Sequence, residues 1–261
     1  MGGFSGIDLN ADGTTFQMVT DKGHIAKGTL TRRDRDLTGV TITAHQVLRD
    51  KNGQERPFPH TDAEGIALGP NGRTYVSFEH FHRVLYYETW DSTALWPSYT
   101  MAWRALSQNQ GLEALAVSED GTLYTLPEYI NTGATQALVY RKYEQGRWQQ
   151  PFTLPVDSEF SPVGADFGPD GRFYVLERGV YPFGFFSRVR AMTVSDAGFD
   201  SIETVFHSRL ARHGNLEGLA VWQDQTGAIR LTMVSDNNFY PFMRSQIVEY
   251  VLQDGLATAP Q

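Results

Sequence analysis

Cysteine is absent from the 261-residue chain, so no disulfide can staple it and no thiolate can ligate a metal or act as a nucleophile. The fold must stand without either. No apolar run approaches the roughly 20 residues of a membrane-spanning helix, and no Lys/Arg-rich block is present. With 22 Lys and Arg against 30 Asp and Glu, the net charge of -8 argues against nucleic acid and anionic membrane as partners. It favours a cation, or a ligand arriving with one. No segment of ten or more residues sustains a 3.6-residue apolar period, so helical architectures lose their support. The Gly-x-Ser-x-Gly elbow, the Walker loop and the His-Glu-x-x-His pair are also missing. Gly3-Phe4-Ser5-Gly6 nearly matches the elbow but leads into a strand. A charged and apolar leader is lacking too. The chain enters its first repeat three residues from Met1, which predicts that a signal peptide has been trimmed upstream.

What the sequence does contain is one hairpin written five times. Gly6, Gly65, Ala114, Gly164 and Gly218 mark equivalent positions, at intervals of 59, 49, 50 and 54 residues. Each copy opens with an apolar stretch such as Gly65-Ile66-Ala67-Leu68. It turns at Asp12-Gly13, Asn71-Gly72, Asp120-Gly121, Asp170-Gly171 or Thr226-Gly227 and returns through a β-rich run such as Arg73-Thr74-Tyr75-Val76-Ser77. Asp-Gly and Asn-Gly between hydrophobic runs signal a hairpin, because both residues tolerate the positive φ of a primed turn. A third strand follows, as in Arg83–Tyr87 and Arg188–Met192, then a weaker fourth, as in Gly39–Thr43 and Ile202–Phe206. Four antiparallel strands at this period make a propeller blade. The reading is an all-β, five-bladed β-propeller forming one domain over residues 1–261, and all-β folds of this length are often single domains. The 59-residue first interval leaves room for a sixth, partial blade. The fourth strand of the last blade should come from before Met1 or from the tail after Asp254-Gly255.

In an antiparallel hairpin, residues equidistant from the turn face one another. Glu64 and Glu79 are equidistant from Asn71-Gly72, Glu113 and Glu128 from Asp120-Gly121, and Glu217 and Asp236 from Thr226-Gly227. In the first copy Ser5 and Asp21 flank Gly13 in the same way. In the fourth the pair is Val163 and Arg178, with Glu177 one residue out of phase. The inner strand of every blade starts at the same rim of the central channel. Asp21, Glu64, Glu79, Glu113, Glu128, Glu217 and Asp236 should therefore meet at one mouth, with Arg178 among them. Crowded like charges need a positive partner, and a hard cation, calcium, fits an all-oxygen set. The bland alternative is that these carboxylates accept backbone N–H groups and tie neighbouring blades together without metal.

Loops on the same rim carry Lys22, His24, His80, His82, Tyr181, Asn237, Asn238, Phe239 and Tyr240. Lys22, Arg178, Asn237 and Asn238 are candidates to bind an anionic substrate group, Arg178 through two parallel hydrogen bonds. Arg178 with His80 or His82 is the candidate catalytic set, the imidazoles serving as acid or base near neutral pH. Tyr181, Phe239 and Tyr240 read as lids or rim packing.

Taken together, Gly3-Phe4-Ser5-Gly6, Asp62-Ala63-Glu64-Gly65-Ile66-Ala67, Leu112-Glu113-Ala114-Leu115-Ala116, Pro127-Glu128, Leu176-Glu177-Arg178, Asn215-Leu216-Glu217-Gly218-Leu219-Ala220 and Ser235-Asp236-Asn237-Asn238-Phe239 resemble a known pattern. It is that of the phytase-like, or "esterase-like activity of phytase", family of bacterial propeller proteins, and it covers residues 3 to about 252. The resemblance implies a phosphoester or ester hydrolase and, since family members are usually exported, a periplasmic or secreted location. A monomer acting on a small anionic or ester substrate, with calcium as cofactor, is the expectation. A noncatalytic propeller with a structural cation, and a lactonase-like ester hydrolase, stay open beside it.

Overall fold

In a computed structural model, residues 2–108, 110–128, 133, 135–238, 243–253 and 256–258 are described. They form five antiparallel sheets in chain order. The first blade comprises β1 (Phe4–Leu9), β2 (Thr15–Thr20), β3 (His24–Arg33) and β4 (Asp36–Val47). The second holds β5 (Ala63–Leu68), β6 (Thr74–Phe78) and β7 (Arg83–Tyr87); the third, β8 (Leu112–Val117), β9 (Leu123–Pro127), β10 (Gln136–Lys142) and β11 (Gln149–Pro155). The fourth runs β12 (Ser161–Phe167), β13 (Phe173–Tyr181), β14 (Gly184–Ser195) and β15 (Gly198–His207). The fifth runs β16 (Asn215–Gln223), β17 (Ile229–Asp236), β18 (Ile247–Gln253) and β19 (Leu256–Thr258). The architecture is the five-bladed propeller that the repeats predict.

Two details depart from the expectation. The second blade has three strands; its outer edge is met only by the isolated pairs Val84–Ser98 and Tyr87–Ala94. Pro97 lies in that segment, and a residue without an N–H cannot extend a ladder. The β1–β2-type turns are not primed two-residue turns either. Gly72 N–H donates to Gly69 O, and in this turn Gly72, at φ 80°, takes the left-handed conformation, while Asn71 Oδ1 accepts from Arg73 N–H. Four of the five are five-residue loops of this kind, a bend with the side-chain cap of an Asx turn, and the first closes over six residues, from Asn10 to Thr15.

A second register feature recurs in all five blades. The inner hairpin slips by a β-bulge between Phe4 and Gly6, Ala63 and Ile66, Leu112 and Ala114, Pro162 and Gly164, and Leu216 and Gly218. The bulge brings the inner strand against its neighbour. A Cβ on Gly6 would sit 2.6 Å from Glu64 O, one on Gly65 2.7 Å from Glu113 O, one on Gly164 2.6 Å from Glu217 O, and one on Gly218 2.6 Å from Ile7 N. Glycine is required there because backbone meets backbone. The Gly218 contact joins the fifth blade to the first, so the ring closes with five blades and no sixth is needed. The tail strand β19 supplies the outer edge of the last blade.

Apolar clusters fill each interface between blades, for example Val19, Ile25, Ile66, Val76 and Phe78 between the first and second, and Leu176, Val189, Leu216, Leu219 and Met233 between the fourth and fifth. Two buried carboxylates add polar ties. Asp8 accepts from Leu9 N–H and, across the interface, from Leu68 N–H at 2.6 Å; Asp166 does the same for Phe167 and Val221. Asp8→Ala leaves the partly buried Leu68 N–H without a partner, and is expected to cost about 1–3 kcal/mol. Thermal melting checks it, as a fall of roughly 5–10 °C. No helix among the described residues is long and apolar enough to cross a membrane.

Candidate functional site

The bulge decides which residues face each other at the mouth. Glu79 N–H donates to Asp62 O, Glu128 N–H to Gly111 O and Asp21 N–H to Gly3 O, while Arg178 pairs with Ser161 and Asp236 with Asn215. Glu64–Glu79, Glu113–Glu128, Glu217–Asp236 and Ser5–Asp21 are therefore not directly opposed, because one extra residue on each inner strand shifts the count. The equivalence between blades is kept, however. Ser5, Glu64, Glu113, Val163 and Glu217 all sit at the bulge, where such irregularities re-aim a side chain. Asp21, Glu79, Glu128, Arg178 and Asp236 all sit just across from the strand start.

The result is a mouth with eight mutually interacting carboxyl groups, Asp62 joining the seven foreseen. They divide into two halves. In the first, carboxylate oxygens of Glu64, Glu79 and Glu113 lie within 4.8 Å of one another, and all three residues are buried. Glu79 Oε1 accepts from Gly111 N–H at 2.6 Å, and Glu79 also accepts from the Glu113 carboxyl. Burial, and then repulsion from the other carboxylates, holds Glu64 and Glu113 well above the usual carboxylate range. Glu79 is shared with a second group, Asp62 and His80, in which His80 Nε2 lies 3.1 Å from Asp62 Oδ2. His80 adopts φ 53°, a conformation rare outside glycine, and this sets its ring against Asp62.

In the second half a guanidinium supplies the positive charge. Arg178 Nη1 donates to Glu217 Oε1 at 2.6 Å and to Asn215 Oδ1 at 2.7 Å, and Nη2 pairs with Glu128. Asn215 Nδ2 donates onward to Glu217 Oε1 and to Asn238 Oδ1. Burial still pushes Glu217 up to about 8, against the pull of Arg178. Both terminal nitrogens of Arg178 are thus committed to protein carboxylates, leaving its buried Nε without a partner. A substrate anion could meet the whole fork only by displacing Glu128 or Glu217.

Between the halves, Asp21 Oδ1 and Asp236 Oδ1 are buried and have no hydrogen-bond partner. Asp21 is pushed up to about 6, by burial first and by Asp236 and Asp62 next, with Lys22 opposing. Asp236 is raised by burial although the N–H groups of Asn238, Asn237 and Gly3 point at it. Asn237 Oδ1 accepts from Gly3 N–H. His82 packs beside Gly111 and makes no ion pair with the carboxylates: its Nε2 meets Ser107 O at 3.1 Å, and burial lowers its pKa. His24 caps β3, its backbone N–H donating to Thr20 Oγ1. Phe239 and Tyr240 lie outside the described residues. Glu177 points away from the mouth, fully buried between Arg188 and Arg190.

The donor set suits a hard cation. It is made of oxygen, its carboxyls outnumber the one guanidinium among them, and two of its buried oxygens are orphaned, so these groups could hold a metal ion. Sequence reasoning missed Asp62 and Asn215. The signal was available: both stand two residues before the bulged glutamate, as Asp62-Ala63-Glu64 and Asn215-Leu216-Glu217.

The family described as "Phytase-like: Esterase-like activity of phytase" matches residues 1–239. No curated protein shows significant sequence similarity to the chain. Among solved structures, one from the GH130 family of mannoside phosphorylases, which contains glycoside hydrolases targeting β-1,2-mannosidic linkages in Candida mannan, is similar with a TM-score of 0.55 at 12% identity. The similarity covers 100% of this chain and 86% of that one. A gluconolactonase from Xanthomonas campestris is similar with a TM-score of 0.50 at 13% identity, over 99% of this chain and 78% of that one. Such likenesses establish the propeller fold alone.

Proposed function

The chain belongs to the phytase-like family, "esterase-like activity of phytase", and from that premise we propose that it is a calcium-dependent hydrolase of phosphoester or ester substrates. The observation that carries the reading is the Glu64–Glu79–Glu113 group, three buried carboxylates whose oxygens lie within 4.8 Å of one another. These residues would hold the ion. Calcium bound there would supply positive charge to a substrate oxygen and acidify a water.

The chain's own residues arrange the rest. Asp62 fixes the His80 ring through Nε2, which leaves Nδ1 to accept a proton from the attacking water and return it to the leaving oxygen. Arg178 acts as a fixed charge that keeps Glu128 and Glu217 in place. Glu217, Asn215 and Glu128 take three of its five N–H groups, which leaves the buried Nε–H and one Nη2–H. Lys22, beside Asp21, adds a second positive group at the rim.

Elemental analysis after dialysis, with hydrolysis of p-nitrophenyl phosphate and p-nitrophenyl acetate before and after chelation, tests the reading. Calcium should be found, and activity should vanish with chelator and return with calcium. Glu113→Gln should weaken calcium binding by about 10- to 100-fold, as loss of a site carboxylate does elsewhere. Absence of metal with no effect of chelator overturns the mechanism. Calcium binding without hydrolysis of either ester would leave the ion as a structural plug.

A further inference from the structure

Among the described residues, one hairpin is longer than its fold requires. At the mouth, pairing of the second and third strands ends at Val19–Ile25 in the first blade and at Phe78–Arg83 in the second. In the fourth blade it continues beyond Arg178–Ser187 through Gly179–Phe186, Val180–Phe185 and Tyr181–Gly184. The added rungs form a finger rising from the root of Arg178. Its tip is apolar and uncovered: Val180 is 54% exposed, Tyr181 47% and Phe183 87%.

The finger is braced rather than loose. Phe186 lies across Gly179, where a Cβ would fall 2.2 Å from its ring, and stacks edge-on with Phe160 at 4.8 Å and Tyr181 at 5.4 Å. Ala211 N–H donates to Phe185 O at 2.7 Å from the connection to the fifth blade. Side chains alternate along a strand, so Gly179, Tyr181 and Phe186 take one face, while Val180 and Phe185 take the face that carries Arg178. The Phe185 ring lies 5.9 Å from the Arg178 guanidinium. A rigid apolar ledge therefore stands over the acidic mouth and is continuous with it.

That juxtaposition selects a substrate. A polyphosphate needs several unneutralised cations around it, whereas this mouth sets eight carboxyls around a guanidinium already spent on two of them. A ledge of exposed apolar side chains instead gains by covering hydrocarbon. Resting on the hydrolase reading above, we infer that the substrate carries a single phosphoryl or acyl head with an apolar tail, and that Val180, Phe183 and Phe185 receive the tail.

Calorimetry with the calcium-loaded protein tests this, using octylphosphonate and methylphosphonate as probes that bind without being cleaved. Octylphosphonate should bind at least about tenfold tighter than methylphosphonate, the scale that a few methylenes in an apolar site provide. In the doubly substituted Val180→Ser/Phe183→Ser protein, both sites being exposed, the advantage should shrink to under about threefold while methylphosphonate affinity and melting temperature hold. Equal affinities in the unsubstituted protein, or an advantage that survives both substitutions, overturns the ledge and leaves the hydrolase reading intact. Failure of both phosphonates to bind overturns both together. Equal affinities combined with sedimentation on phosphatidylcholine vesicles that the double substitution abolishes would assign the finger to a lipid surface instead.

Discussion

Arg178→Ala is expected to be the most damaging single substitution at the mouth, lowering the melting temperature by roughly 10 °C or more near pH 8. The guanidinium is the buried positive charge between Glu128 and Glu217, and it holds both by direct hydrogen bonds. Removing one partner of a buried ion pair costs about 3–5 kcal/mol, because the remaining charge stays out of water without compensation. Two carboxylates lose their partner here, and Asn215 loses a donor as well. The deficit must depend on pH. Glu217 already titrates at about 8 with Arg178 present, and without it the carboxyl is pushed higher still. Near pH 8 that carboxyl is then largely neutral, so the loss there falls mainly on Glu128 and on the hydrogen bonds that Arg178 gave; it should grow as pH climbs further and be smallest at about pH 5.5. Thermal melts by circular dichroism in chelator, at the two pH values, check this. A substituted protein melting within about 2 °C of the parent near pH 8, or losing as much in acid, would remove Arg178 as the electrostatic keystone.

The second large effect is on the unsubstituted protein. Glu64, Glu113 and Glu217 have folded-state pKa values raised above the ordinary glutamate range, Glu217 from 4.5 to about 8. A raised carboxylate binds more protons folded than unfolded, so its contribution to stability is complete below the unfolded value and is lost as pH climbs through the folded one. For Glu217 the window runs from about 4.5 to about 8. At 1.36 kcal/mol per unit this one group is worth on the order of 5 kcal/mol across the window. Metal-free protein is therefore expected to be most stable on the acid side and to lose roughly 10 °C in melting temperature toward pH 8. Calcium should reverse the trend, since it replaces the protons and stabilises by about 2.7 kcal/mol at one hundred times its dissociation constant. Its effect should be larger near pH 8 than near pH 5.5. Asp8, pushed up to about 7 by burial at the other end of the ring, adds a slope of the same sign that calcium does not touch. Scanning calorimetry with chelator or calcium, on the parent and on Glu113→Gln, separates the two. A calcium response that is equal at both pH values would detach the ion from these carboxylates.

Much of the site was legible because a repeat carries position as well as pattern. Once Glu64, Glu113 and Glu217 occupy the same place in equivalent hairpins, ring symmetry brings them to one mouth whatever the details of pairing. The pairing itself was not legible. Counting from the turn assumes an unbroken ladder, and a bulge of one residue leaves no mark in sequence beyond the glycine or alanine that follows it. That single residue turns Glu64–Glu79 into Asp62–Glu79 and hides Asp62 and Asn215 as site residues. The turn type was misread for a related reason, since Asn71-Gly72 is compatible both with a primed turn and with the longer Asx-capped loop that is formed.

Composition and period by themselves determined that this is a five-bladed all-β ring with an acidic rim, since alternation, Asp-Gly turns and a spacing of about fifty residues admit little else. Only tertiary structure decided how the rim's charge is shared out. Arg178 comes from a blade that carries valine, not glutamate, at the bulge, and its reach to Glu128 and Glu217 in the two flanking blades joins residues 50 and 39 positions away. Coulombic partnership depends on distance in space. The five copies of a hairpin, each silent about the others, fix that distance only when the ring closes.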